Sequence, residues 1–448
     1  MARLNLTDLP PELLTEICSF LCCHCLELQS TVFSPVTAQS DPDHGQAQPR
    51  RADLLSLARV CRVLRGVAEL FLYHSFHTSR TSDLYFFVRT LLDRPDLRLR
   101  VLDVDVGPSL VHAGDPLLAR GRPEDAAELV ESAEHAALIS LLLQLVPNVE
   151  SSHLHLPLFK AFPDLGRLES THSPMLSLKR LAFTDLKRGF ILDGTSPILR
   201  LAPNLEILRC HNCDDVSKVF LATLGRKMPS NPRPLQALAK LTLRNTSLTA
   251  ASLLHLLEAV GPRLSKVDIR RSIGRQSRGY YQSLGEPKIE FNEVVTALQP
   301  WSHSLQELSF SMHEIDMILP RSPDHFAGVH LLREFRELRS LRTPADCLDF
   351  HGHLGRREDA LAATLPPSIR ELRLLGYSSI VPGLQGLARA FGAGQFAELQ
   401  RIEVDHPAFE AGQLQLEAAR EVREVAASFW PAGVDFVIHP KLGDFDSQ

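Results

Sequence analysis

Apolar positions along most of the chain repeat as Leu-x-x-Leu-x-Leu, with Ile, Val, Phe or Cys standing in for some leucines. The copies are Leu99-x-x-Leu102-x-Val104, Leu178-x-x-Leu181-x-Phe183, Leu205-x-x-Leu208-x-Cys210, Leu238-x-x-Leu241-x-Leu243 and Leu264-x-x-Val267-x-Ile269. Leu305-x-x-Leu308-x-Phe310, Leu338-x-x-Leu341, Ile369-x-x-Leu372-x-Leu374 and Leu399-x-x-Ile402-x-Val404 continue the series. Val149-x-x-Ser152-x-Leu154 is a degenerate copy without its central leucine. Alternate residues of a strand point to one side, so each copy predicts a short strand with its apolar residues inward and the intervening ones outward. From Leu178 onward the copies start 27, 33, 26, 41, 33, 31 and 30 residues apart, with helical segments such as Leu248–Val260 and Phe291–Leu298 between them. Each unit reads as strand, turn, helix and return. One unit cannot bury its own apolar side, whereas a stack can.

Ahead of these copies the period is helical. Leu13, Ile17, Phe20 and Leu21 fall on one helix face, with Pro10, Leu14 and Cys18 as a second stripe beside it. The Pro10-Pro11 pair suits a first turn, Asp8 is placed to cap it, and Glu12 sets a negative charge at the helix's positive end. Residues 5–25 therefore predict a first helix. Residues 26–52, rich in Gln, Pro, Asp and Ser, predict a solvated loop. Asp53 is expected to cap a second helix through Leu64, with a third over 66–76 and another over 81–93, stopped by Asp93-Arg94-Pro95. A first helix this short and this widely apolar needs both a core and a partner.

The segment Leu9-Pro10-Pro11-Glu12-Leu13-Leu14-Thr15-Glu16-Ile17, with Asp53–Arg65 and the trailing Ala68–Phe76, resembles an F-box, best of the fungal type. It departs from that family in the long stretch 26–52, where a short link is usual. The later copies resemble leucine-rich repeats, with several periods longer than usual. Together they imply an α+β/α/β multidomain fold: a three-helix F-box at 1–76, a helical linker and first irregular repeat at 77–147, a leucine-rich-repeat solenoid at 148–440 and a tail at 441–448. Cys213 falls where such repeats carry Asn or Cys, a buried side chain that satisfies the turn after the strand. The resemblance implies the substrate-recognition subunit of a cullin-type (SCF) ubiquitin ligase. Leu9, Pro10, Leu13, Leu14, Ile17, Leu54, Leu57 and Val60 would dock on a Skp-type adaptor, and the repeats would hold a protein target. The alternative is an adaptor-binding interaction or scaffold protein without a role in ubiquitylation.

Composition narrows the chemistry. The net charge of −5, from 48 basic and 53 acidic residues, gives no footing for general nucleic-acid binding. The apolar run Leu138–Val146 is too short to span a bilayer, and no apolar segment precedes a small-residue cleavage site. Cytoplasm or nucleus is the expectation. The spacings Cys22-x-x-Cys25, with His24 between, and Cys210-x-x-Cys213 formally make a four-thiolate zinc set, yet cysteines on an apolar helix usually act as small hydrophobes. No metal or cofactor is expected, and no phosphate loop, nucleophile elbow or metalloprotease motif occurs. His351 and His353 near Asp346 and Asp349 are the closest thing to a hydrolytic cluster. The chain is expected to be no enzyme.

The outward strand positions point to the target. They read Arg209 and His211, Thr242 and Arg244, Asp268 and Arg270, Ser309 and Ser311, Arg373, then Glu403 and Asp405. Of these, Arg209, His211, Arg244, Arg270 and Arg373 are the expected target-binding set. The 41-residue period adds Arg271, Arg275, Arg278, Tyr280 and Tyr281 beside them. Clustered arginines suit bidentate capture of carboxylate or phosphate, so an acidic or phosphorylated target is expected.

Overall fold

The helical period at the front becomes helices and the two-residue alternation behind it becomes parallel strands. This computed structural model describes residues 9–22, 24–25, 44–107, 124–156, 174–185, 190–225, 235–271, 289–312, 328–348, 359–375, 380–406 and 413–440. They fall into two units, Met1–Leu186 with Pro197–Leu205, and Lys187–Ser196 with Glu206–Gln448.

The first unit opens with helices α1 (Pro11–Leu21), α2 (His44–Val60) and α3 (Arg62–Leu72). Pro10 holds the position before α1, its carbonyl accepting from the N–H groups of Leu13 and Leu14; Asp8 lies outside the described residues. The three helices close over Cys18, Cys22, Leu54, Ala68 and Phe71. Two expectations are corrected here. The second helix starts at His44, nine residues before Asp53. It also breaks before Leu64. Cys61 is extended (φ −157°, ψ 170°) and caps α3, its Sγ accepting from the Leu64 N–H at 3.5 Å. Of the expected loop, residues 26–43 lie outside the described residues.

The expected third helix over 66–76 ends at Leu72, and Ser75–Thr78 is strand β1 instead. Pairing decides it: β1 lies parallel to β2 (Asp103–Val106), then come β3 (Ser151–His155) and β4 (Arg180–Thr184), each parallel to the one before. Parallel neighbours need long crossovers. Helix α4 (Thr81–Asp93), over its predicted span, and α5 (Glu124–Leu145) lie on two of them. Phe76 of β1 stacks on Phe87 of α4 with centroids 3.8 Å apart, sealing that side of the strand. In β2 the copy is framed two residues later than expected. Val104 pairs with Ser152, which pairs with Leu181, so the inward set is Val101, Val104 and Val106, while Leu99 is exposed. A two-residue shift preserves the in-out alternation, so periodicity cannot detect it.

In the second unit, strands β6 (Ile207–His211), β8 (Lys240–Thr246), β9 (Lys266–Arg271), β10 (Glu307–Ser311), β11 (Ser340–Pro344), β12 (Glu371–Leu375), β13 (Arg401–His406) and β14 (Asp435–Pro440) follow one another in parallel. The short β5 (Phe190–Ile191) and β7 (Cys213–Asp215) form a second pair. All of these but β5, β7 and β14 begin two residues after the first apolar position of their repeat copy. Helices α6 (Ala250–Leu257), α7 (Phe291–Leu298), α8 (Val381–Gly392) and α9 (Gln413–Phe429) lie on the connections. Phe291 meets Phe310 at 5.4 Å and Phe429 meets Phe436 at 5.8 Å, placing α7 and α9 against the inward side of the strands.

The turns after β6 and in β8 place Asn212 and Asn245 at positive φ, 64° and 50°, which Asn tolerates better than other side chains. Cys213 is fully buried as expected, and at the equivalent position of the next repeat Thr246 donates its hydroxyl to the Cys213 carbonyl at 2.7 Å. Gly261 approaches closely: a Cβ there would stand 2.5 Å from the Gln236 carbonyl oxygen. Its own carbonyl takes the Trp301 indole N–H at 2.7 Å.

Candidate functional site

Eight residues were expected to form one docking face at the front, and they divide by burial. Leu14 (2% exposed) and Leu54 (3%) belong to the helical core. Leu9, Ile17 and Leu57 are half-buried, and Pro10 is exposed. Leu13 (45%) and Val60 (68%) are largely exposed, as are Phe20, Leu55 and Val63. Phe20, Leu55 and Val63 were not in the expected set. Their spacing from Leu13 and Val60 was visible, but which apolar stripe faces the core is set by how α1 packs on α2 and α3. A helical segment this small with that much exposed apolar surface has the character of an interface.

On the second unit, outward residues line up across the strands in register. One row runs Arg209, Thr242, Asp268, Ser309, Arg342, Arg373 and Glu403. The expected arginines are not equivalent in it. Arg244 and Arg270 both lean on the Asp268 carboxylate at 3.7 Å. Arg373 bonds both Asp405 oxygens at 3.2 Å and lies 3.4 Å from Glu403. Glu403 also lies 2.7 Å from Arg401 and 3.1 Å from His439. Burial works to raise its pKa, but the Arg373 and Arg401 charges and the hydrogen bond to His439 keep the carboxyl below the usual range. Arg209 is exposed and His211 half-buried.

Arg271 does not join a basic loop. It is 8% exposed at the end of β9, and it binds Glu290, whose side chain caps α7. Arg275, Arg278, Tyr280 and Tyr281 lie outside the described residues, as do Asp349, His351 and His353; Asp346 is buried in a short 3-10 turn.

Arg342 is not in the expected set; its repeat copy, Leu338-x-x-Leu341, has Thr343 in place of the third apolar residue that would frame an outward position. It stands in register between Ser309 and Arg373, and no carboxylate pairs with it among the described residues. Burial, with Arg373 and Arg270 nearby, lowers its pKa to about 10.

The outward face of the first unit carries imidazoles and carboxylates. His77 lies 3.4 Å from both Asp103 and Asp105. Asp105 also meets His153 Nδ1 at 3.2 Å, and His153 Nε2 is 2.9 Å from the Thr184 hydroxyl. Burial works to raise the Asp105 pKa, but the hydrogen bonds to His153 and His77 outweigh it and hold the carboxyl far below the carboxylate range. Carboxylate, imidazole and hydroxyl in sequence could activate a nucleophile. Thr184, however, is only 6% exposed and is the wrong end for a substrate to reach. An open cavity of about 650 Å³ adjoins this face, lined by Leu54, Phe71, Phe87, His77, Asp105 and His155.

Beside that cavity, Cys22, Cys25 and His74 bring their ligating atoms within 4.8 Å of one another. Cys22 Sγ lies 3.8 Å and Cys25 Sγ 3.6 Å from His74 Nδ1. Cys22 donates to Cys25, and that bond together with burial pushes the Cys22 thiol up to about 12. The same bond lowers the Cys25 thiol against the opposing effect of burial. Cys210 and Cys213 are not part of this group; burial keeps both thiols protonated.

No family model and no curated protein matches the chain. Its functional surfaces therefore rest on their own chemistry. Among the described residues no helix is long and apolar enough to cross a membrane.

Proposed function

We propose that the chain is the substrate-recognition subunit of a cullin-type ubiquitin ligase, an F-box with an irregular leucine-rich-repeat solenoid. The front helices dock on a Skp-type adaptor, and the outward strand face binds an acidic or phosphorylated target. The observation that carries the docking half is the number of exposed large apolar residues on these helices, Leu13, Phe20, Leu55, Val60 and Val63, apart from a buried core. Side chains that neither fill the core nor seek water are what a partner surface needs. Parallel strands that repeat Leu-x-x-Leu-x-Leu inward, with polar residues outward, support the repeat half. The chain itself has no catalytic task on this reading.

The test is affinity capture of the intact chain with Leu13→Asp and Val60→Asp. Both positions are exposed, so the helical core survives the change. Loss of a buried interface anchor costs about 2 kcal/mol or more, so adaptor capture should fall at least about 30-fold with the double variant. Leu254→Asp, an equally exposed apolar residue of the second unit, should leave capture unchanged. Undiminished capture by the double variant refutes the docking assignment. An adaptor recovered without a cullin favours an interaction protein over a ligase subunit.

A further inference from the structure

We propose that Cys22, Cys25 and His74 form a structural zinc site that ties the end of the first helix to the start of the sheet. This departs from the reading of the sequence, which took the cysteines as small hydrophobes and expected no metal. The site lies wholly in the first unit and does not depend on the ligase assignment.

Geometry carries the inference. In a tetrahedral site with Zn–S of about 2.3 Å and Zn–N of about 2.0–2.1 Å, sulfur and nitrogen ligands stand roughly 3.5–3.6 Å apart. Here the two sulfur-to-Nδ1 distances are 3.8 and 3.6 Å, and all three ligand atoms lie within 4.8 Å. Cys22 follows the last turn of α1 and Cys25 lies three residues on, a spacing that lets both sulfurs face one point. His74 is brought to them by the end of α3, its ring 4.9 Å from that of Phe71. None of the three is fully exposed, and Cys22 is 2% exposed.

His24 supplies the second, independent observation. Its ring is 4% exposed, and neither nitrogen has a hydrogen-bond partner. It meets the His74 ring edge-on at 6.0 Å, and the Glu150 carboxylate is 4.0 Å from Nε2. A buried imidazole without a partner is costly, and a bound cation would satisfy it. We assign it the fourth coordination position, reached by rotation about its own side-chain bonds. Glu150 then orients the ring from behind, as carboxylates do for metal-bound histidines.

Charge and protons balance. Zinc binding removes the thiol proton of each cysteine and releases both to solvent, while His74 and His24 bind neutral. Two thiolates neutralise the ion, so the buried site carries no net charge. The effect is mechanical: the metal joins Cys22, His24 and Cys25 to His74, immediately before β1. It closes a long chain loop on the native side of the folding equilibrium.

The test uses the full chain, purified under reducing conditions without chelator. Metal analysis should find about one zinc per chain, the stoichiometry of a closed structural site. Cobalt substitution should give thiolate-to-cobalt absorption and the strong visible bands of a tetrahedral ion. Cys25→Ser should lose both signals, whereas Cys213→Ser should keep them. His24→Ala should weaken zinc retention against a competing chelator by on the order of 10–100-fold, and retention at wild-type strength removes His24 from the site. A wild-type chain that neither carries zinc nor develops the cobalt bands overturns the proposal. So does full retention of zinc by Cys25→Ser. The wild-type measurement decides even where a variant fails to fold.

Discussion

Arg342 and Arg373 stand opposite each other on adjacent parallel strands, yet Arg373 is matched by Glu403 and Asp405 while no carboxylate pairs with Arg342 among the described residues. The Arg342 charge is carried at a cost, since burial and neighbouring arginines both oppose it. An acidic or phosphorylated target would relieve that cost and gain a charge-assisted hydrogen bond. Arg342→Glu should weaken target capture by at least about tenfold while adaptor binding persists. The triple reversal Arg209→Glu, Arg244→Glu and Arg270→Glu is a blunter probe, because it also sets two carboxylates against Asp268. Quantitative capture of a given target by each variant separates the two. Equal retention by Arg342→Glu and wild type places recognition elsewhere.

Leu13 and Leu14 are neighbours in opposite surroundings. Leu14 is 2% exposed, and Leu14→Ala should lower the stability of the helical segment by about 2–5 kcal/mol. Leu13 is 45% exposed, so Leu13→Ala should change stability by less than about 0.5 kcal/mol, and on the docking proposed above it should weaken adaptor binding. Chemical denaturation followed by far-UV circular dichroism, beside an adaptor titration, measures both effects.

Gly261 has no room for a side chain. A Cβ would stand 2.6 Å from the Gln236 Cα, a backbone atom that cannot swing away. Gly261→Ala should therefore shift the chain and cost about 1–3 kcal/mol or more. The same shift disturbs the bond from Trp301, so tryptophan fluorescence reports it directly. Wild-type stability in this variant contradicts the close approach.

Acid should loosen α5 before it protonates the carboxylates. His135 is 2% exposed, and burial lowers its pKa to about 4. Its depressed value means that the unfolded chain binds the proton first as pH falls. Stability is thus full above about 6.5 and lost between about 6.5 and 4, up to about 3 kcal/mol. His77 has the opposite sign. Burial would lower its pKa, but the hydrogen bond to Asp105 and the charges of Asp103 and Asp105 raise it, so its contribution is full at low pH and fades as pH rises past the folded value. Hydrogen exchange of the 134–145 amides should accelerate from pH 6.5 towards 4 after correction for intrinsic rates. His135→Leu should flatten that dependence, and an unchanged profile would remove His135 as its source.

Strand placement was legible in the sequence because it depends on local alternation. Leu208 and Cys210, Leu241 and Leu243, and Ile402 and Val404 each recur at a spacing that only a strand presents to one side. The α4 span was legible for the same reason, through helical periodicity and a proline stop. What tertiary structure decided was everything that depends on a partner. Ser75–Thr78 became a strand because β2 offered it hydrogen bonds. The β2 frame moved by two residues because its neighbours fixed the register. Leu13 and Leu14 look alike as letters, and only the packing of α1 separated core from surface. Arg244, Arg270 and Arg373 read as one basic set, until register laid Asp268, Glu403 and Asp405 beside them and left Arg342 to stand apart. Cys25 and His74 are 49 residues apart in the chain and 3.6 Å apart in space. Local chemistry is written along the chain, whereas a site assembled from distant residues exists only once the chain has folded.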